Sequence, residues 1–304
     1  MEYVLTAENL GKRYGQSKAL DGFSMHVPKG SIYGFVGRNG AGKTTLIRLL
    51  CGLQEPTEGS FILYGIRNSD PGIVQARKNM GAVVETPALY PEMTAEDNLK
   101  QQYRILGLPS FEGISDLLNL VGLENTGKKK VKSFSLGMKQ RLGLAIALAG
   151  EPDFLVLDEP TNGLDPQGII DMRELILKLN RQRGITVLIS SHILDELSRL
   201  ATHYGILDGG RMVKELSAEE LDAFYRKYTR IEVTSMPALK RVLDAMGVTY
   251  RVFSETQADI FAKVNITKLV LALAKEDCEV LALVEKEETL ESFFISLTGG
   301  DSRG

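Results

Sequence analysis

The sequence predicts an α/β fold: a mixed sheet with an antiparallel β part, a helical subdomain, and a small α+β unit at the C-terminal end. Three observations predict it. "SIYGFVG" and "ITVLISSH" are apolar runs of the type buried on both faces of a parallel sheet. Segments with helical spacing alternate with such runs, as in βα-built sheets. After about Leu221 the rhythm becomes β-α-β-β-α-β, the order of a split βαβ, ferredoxin-like unit.

The 304 residues suit a large domain plus a smaller one, placed here at 1–220 and 221–300, with the helical part at about 86–150. With 43% hydrophobic and 25% charged residues there is ample material for a core. A formal net charge of −3 argues against a nucleic-acid partner. Cys51 and Cys278 lie far apart in apolar patterns and read as buried thiols of a reducing compartment. "MEYVLTAENL" lacks the basic head and apolar middle of a signal peptide. No window approaches the roughly 18 uninterrupted apolar residues of a membrane span, so the chain is expected not to cross a membrane by itself.

Taken in order, "YVLTAENL", "GFSMHVP" and "SIYGFVG" read as strands, and "KTTLIRLLCGL" as a helix entered through a Gly-rich turn. "MGAVVETPALYPEMT" is a short strand ending at Glu85, followed by a Pro-rich turn. "TAEDNLKQQYRILGL" opens a helix with Thr94 as N-cap and Asp97 three residues on. "EGISDLLNLVGL" and "SLGMKQRLGLAIALAG" follow as helices, with Lys128 to Lys130 between them in a solvated loop. "DFLVLDEP" is a strand. In the helix "PQGIIDMRELILKLNRQRG", Ile169, Met172, Ile176 and Leu179 share one face. Asp208-Gly209-Gly210 marks a hairpin. A helix is expected to close the chain at "EETLESFFISLTGG".

"GRNGAGKT", residues 37–44, fits G-x-x-x-x-G-K-[ST] between a strand and a helix and predicts a P-loop NTPase core. Gly37, Arg38, Asn39, Gly40, Ala41 and Gly42 would turn backbone N–H groups toward phosphate oxygens, with Thr45 in the first helical turn. The helix N-terminus adds its partial positive charge. Lys43 can reach the β- and γ-phosphates, and the Thr44 hydroxyl can ligate Mg²⁺. In "FLVLDEP", Asp158 is placed to hold Mg²⁺ and Glu159 is a candidate general base.

These motifs, with Tyr14 in "KRYG", "FSLGMKQR", "NGLDP" and "ISSH", occur in the order found in ATP-binding subunits of ABC transporters, which residues 2 to about 216 resemble. The resemblance implies an ATPase whose Tyr14 stacks on adenine and whose His192 contacts the γ-phosphate and the attacking water. It implies that Ser135 and Gly137 close on ATP held by a second copy in a head-to-tail dimer, with Asp165 at the junction. Alone, "SLG" and "GLDP" read equally well as N-caps, and Tyr14 as core. The resemblance also implies an integral membrane permease contacted near residues 86–100, and a peripheral place on the cytoplasmic face of the membrane.

Two departures stand out. The usual family signature is Leu-Ser-Gly-Gly-Gln, whereas this chain has Phe134-Ser135-Leu136-Gly137-Met138. Glu85 stands where most members have Gln; a carboxylate there can ligate Mg²⁺, wait at a distance, or sit protonated, and it repels the γ-phosphate and Glu159. The same Glu, the length, "FSLGMKQR" and the ending "LESFFISLTGG" are similar to the ATPases of lantibiotic-immunity and bacitracin-resistance exporters. An exporter for another substrate stays open. So does a soluble ABC ATPase working on ribosomes or DNA, although such relatives carry paired cassettes or a long coiled-coil insertion. A kinase or GTPase is disfavoured, since the sequence lacks Asn-Lys-x-Asp and "FSLGMKQR" has no role there.

Overall fold

β1 (Tyr3–Tyr14) and β2 (Ser17–Pro28) form a long antiparallel hairpin in the computed structural model, which describes residues 2–224, 227–262 and 264–287. Alternate side chains of this pair, including Leu5, Ala7, Phe23, Met25 and Val27, are fully buried. β3 (Ile32–Gly37) is buried at every position, because it runs between two parallel neighbours. α1 (Lys43–Leu50) follows. β4 (Glu58–Leu63) and the short β5 (Ile66–Arg67) complete an antiparallel sheet of order β2-β1-β4-β5.

α2 (Ile73–Arg77) leads to β6 (Met80–Val83), and the helical part follows as α3 (Ala95–Leu106), α4 (Ile114–Leu120) and α5 (Leu136–Leu148). The chain then alternates through β7 (Phe154–Asp158), α6 (Pro166–Arg183), β8 (Thr186–Ser191), α7 (Leu194–Ser198), β9 (His203–Asp208) and β10 (Arg211–Ser217). The second sheet has order β10-β9-β3-β8-β7-β6, parallel except for the β9–β10 hairpin at Asp208-Gly209-Gly210. One core joins the two sheets through α1: Leu46 and Ile47 are packed with Phe23, Phe35 and Phe154. On α6, Met172, Leu175, Ile176 and Leu179 are buried and Ile169 is half-buried.

The chain divides into two compact units, 1–218 and 219–304, with α8 (Ala218–Phe224) at the division. In the second unit β11 (Lys227–Val233), α9 (Met236–Ala245), β12 (Tyr250–Val252), β13 (Gln257–Ile260), α10 (Ile266–Ala274) and β14 (Val280–Glu287) give an antiparallel sheet of order β12-β13-β11-β14. Ile231, Val233, Leu239, Leu243, Ile260 and Leu273 form its own core. The opposite sheet face carries Asp259, fully buried beneath Arg230 at 2.7 Å and Arg251 at 3.3 Å. The closing helix expected over residues 287–300 falls, apart from Glu287, outside the described residues. Both cysteines are free thiols, and burial pushes Cys51 up to about 11. Among the described residues no helix is long and apolar enough to cross a membrane.

The turn after Glu85 is shaped by buried polar contacts. Asn98, 2% exposed, accepts from Tyr90 N at 2.8 Å and donates to Tyr90 O at 3.1 Å and Thr94 O at 2.8 Å. Thr94 caps α3 by accepting from Asp97 N at 3.1 Å. Pro87 lies against α5 so closely that a Cβ on Gly143 would stand 2.6 Å from its ring. Removing the Asn98 amide strands the Tyr90 N–H and takes one of two donors from each of the Tyr90 and Thr94 carbonyls, which keep the N–H groups of Met93 and Asn98. Asn98→Ala is therefore expected to cost about 1–3 kcal/mol, read as a fall in the denaturant midpoint of unfolding.

Candidate functional site

Residues 38–42 turn the chain from the end of β3 into α1. Gly42 has φ 108°, and a Cβ there would stand 2.4 Å from Ala19 O, so only glycine fits. Arg38, Asn39 and Gly40 are exposed, while Gly37, Ala41 and Gly42 are buried. The β9–β10 hairpin supports this loop: Gly210 N donates to Ala41 O at 3.1 Å, and Asp21 N donates to Gly210 O at 3.0 Å. Lys18 at 2.8 Å and Arg211 at 2.5 Å hold the Asp21 carboxyl down to about 2. That buttress joins residues nearly two hundred positions apart and left no local signal in the sequence.

Lys43 opens α1 and is only 5% exposed. Its Nζ donates to Gly37 O at 2.7 Å and Arg38 O at 3.3 Å, and lies 3.3 Å from Glu159 Oε1. The amine is thus curled back on its own loop. Thr44 and Thr45 are half-buried beside it.

β7 delivers Asp158 and Glu159 to the same place. Asp158 is 2% exposed; its Oδ1 accepts from Ser190 Oγ at 2.6 Å, and its buried Oδ2 has no partner among the described residues. A buried carboxylate oxygen left bare points to a group from outside the chain. Glu159 has a left-handed backbone, φ 46°, fixed by bonds from its N–H to Ser190 Oγ at 2.9 Å and Ser190 O at 3.2 Å. Its Oε2 lies 3.1 Å from His192 Nδ1 and accepts from Asn162 Nδ2 at 3.4 Å. Lys43, Asp158, Glu159 and His192 therefore meet at the C-terminal ends of parallel strands, where an open α/β sheet presents its ligand crevice. Ser190, which holds both acids, was not singled out in the sequence; its place in "ISSH", one strand over from "LVLDEP", was the available signal. Among the described residues no three His, Cys, Asp or Glu side chains cluster as a metal cage.

Ser135, Gly137 and Asp165 gather elsewhere. Ser135 is the N-cap of α5, accepting from Met138 N at 3.3 Å. Asp165 is the N-cap of α6, accepting from Gly168 N at 3.1 Å. With Arg141 they line a cavity of about 400 Å³ that none of residues 37–45 borders. Tyr14 is 44% exposed at the end of β1, its hydroxyl bonded to Gln54 and Lys12 Nζ 5.4 Å from its ring centre. Glu85, with a left-handed backbone of φ 56°, is not joined to the Lys43 cluster; its exposed carboxylate pairs with Arg48 of α1.

Comparison with known proteins agrees with this geometry. The family model described as ABC transporter matches residues 20–162. The bacitracin transport ATP-binding protein BcrA of Bacillus licheniformis is 38% identical over the full length of both chains. The lantibiotic transport ATP-binding protein SrtF of Streptococcus pyogenes is 45% identical over 70% of this chain and 90% of its own. A bacterial ABC transporter cassette solved as a dimer superposes with a TM-score of 0.64 at 26% identity, covering 70% of this chain and 98% of that one. Match over the whole length, with the cradle and its acids assembled, places the chain in the family of ATP-binding ABC transporter subunits: it is an ATPase that binds ATP, homologous to bacitracin and lantibiotic transport ATP-binding proteins.

Proposed function

We propose that this ATPase drives export of a peptide antibiotic by a separate integral membrane permease, serving resistance or self-protection. The observation that carries the mechanism is Glu159 held between Lys43 at 3.3 Å and His192 at 3.1 Å at the mouth of the cradle. Residues 37–45 take the phosphates, and Lys43 exchanges its backbone carbonyls and Glu159 for phosphate oxygens. Glu159, freed from the amine, accepts a proton from the attacking water. The new P–O bond forms at the γ-phosphorus as the bond to the bridging oxygen breaks, and charge passes to ADP. His192 orients Glu159 and meets the γ-phosphate. Tyr14 offers its exposed ring to adenine.

Thr44 and the bare Oδ2 of Asp158 suit Mg²⁺, a hard cation that keeps water and phosphate ligands and needs few from protein. When bound, it neutralises charge on the phosphate oxygens. Glu85 is a further candidate ligand. Ser135 and Gly137 line a surface that Lys43 does not border, so they serve ATP held by a second copy. That gives a head-to-tail dimer with Asp165 at its junction. The permease docks near residues 86–100, where Tyr90 is 50% exposed on the loop that Asn98 shapes. This puts the subunit on the cytoplasmic face of the membrane, with no nucleic acid as partner. The peptide-antibiotic reading rests on the full-length likeness to BcrA.

Glu159→Gln is expected to lower steady-state ATPase by roughly 10²–10⁴-fold while keeping ATP affinity, and to trap an ATP-loaded dimer visible by size-exclusion chromatography. Wild-type turnover by the variant refutes the base assignment. Lys43→Ala is expected to abolish ATP binding measured by calorimetry. Cells lacking this gene should become sensitive to bacitracin or a lantibiotic and be rescued by the wild-type gene but not by Lys43→Ala; unchanged sensitivity to both antibiotic classes refutes the substrate class.

A further inference from the structure

The half-buried positions of α1 are Thr44, Thr45 and Arg48, set among buried neighbours, so they share one face of the helix. Arg48 stands about one turn beyond Thr44, about 6 Å along the axis. Its guanidinium binds the carboxylate of Glu85, whose left-handed backbone is uncommon for a residue with a Cβ. The Glu85 carboxylate is therefore held at Arg48, the residue one helical turn on from Thr44. No other hydrogen bond or ion pair is present at either side chain among the described residues.

We infer that Arg48 is a parking partner for Glu85: it keeps the carboxylate off the phosphate cradle in the nucleotide-free subunit, and Mg²⁺ arriving with nucleotide must draw Glu85 away from it. This rests on the reading that Thr44 and Asp158 hold Mg²⁺. The pair answers the electrostatic difficulty of a carboxylate facing a polyphosphate. With Arg48 engaged, the charge is balanced until a divalent cation is present to balance it instead. Arg48 thus acts through Glu85, as a positioning residue. Because Glu85 leads directly into residues 86–94, exchange of its partner also moves the start of that loop.

The test is calorimetric binding of a non-hydrolysable ATP analogue to the full chain over a series of Mg²⁺ concentrations. Arg48→Ala is expected to lower the Mg²⁺ concentration for half-maximal affinity by about two- to fivefold, the range of an exposed ion pair. Arg48→Lys, which keeps a cation, is expected to stay within twofold of wild type. In a Glu85→Gln background, Arg48→Ala should change nothing further. An unchanged midpoint in Arg48→Ala, an equal shift in Arg48→Lys, or the same shift with Glu85→Gln overturns the proposal. Lys43→Ala keeps the two readings apart: analogue binding that survives it overturns the cradle itself, whatever Arg48 does.

Discussion

The buried ammonium of Lys43 is the constraint around which the larger unit is arranged. An amine 5% exposed needs its donors met, and without nucleotide they are met by Gly37 O, Arg38 O and Glu159. Each of those acceptors sits at the end of a parallel strand or just past it, so the sheet must deliver them to one point. β3 and β7 are not neighbours; β8 lies between them and contributes Ser190, which bonds both Asp158 and the Glu159 N–H. The order of three strands is thereby read out as one catalytic pocket.

Two carboxylates, Glu159 in this pocket and Glu85 outside it, share a left-handed backbone. Such a conformation costs of order 1 kcal/mol or more in a residue with a Cβ, and it persists where surroundings hold it. For Glu159 the surroundings are the two bonds from Ser190. For Glu85 they are looser: an exposed pair with Arg48 and, two residues on, Pro87 lodged against Gly143. The first acid is held through its own backbone by two bonds, the second through its side chain by one exposed ion pair.

Local chemistry was legible in the sequence. Thr94, Ser135 and Asp165 cap the helices expected, and the runs of β3, β7 and β8 are buried throughout, because caps and burial patterns are written within a few residues. Pairings across long separations were not. Arg48 was not singled out in the sequence, and Glu85 was weighed against phosphate, metal and Glu159 but not against a basic partner. Gly210 read as half of a hairpin turn, with no hint that its N–H braces Ala41. For Asp165 the sequence left capping and a junction role equally open; the structure supplies the cap, on an exposed residue.

The departures at the signature bear on how much of that surface depends on side chains. What an N-terminal anion site requires is free N–H groups, a hydroxyl and the helix dipole. Ser135 keeps its hydroxyl at the N-cap of α5, where it accepts from Met138 N, and the N–H groups of Leu136 and Gly137 are left without an acceptor among the described residues. The added bulk of Leu136 goes elsewhere: its Cδ2 would be 3.0 Å from a Cβ on Gly163, which has φ 76° and carries none. Leu136 therefore rests on the loop before Asp165 in the same chain. A side chain absent from the usual signature is thus spent on tying Ser135 to Asp165, two residues that a head-to-tail partner would meet together. Substitution at these positions leaves the capped end of the helix intact, with Leu136 in contact with the neighbouring loop.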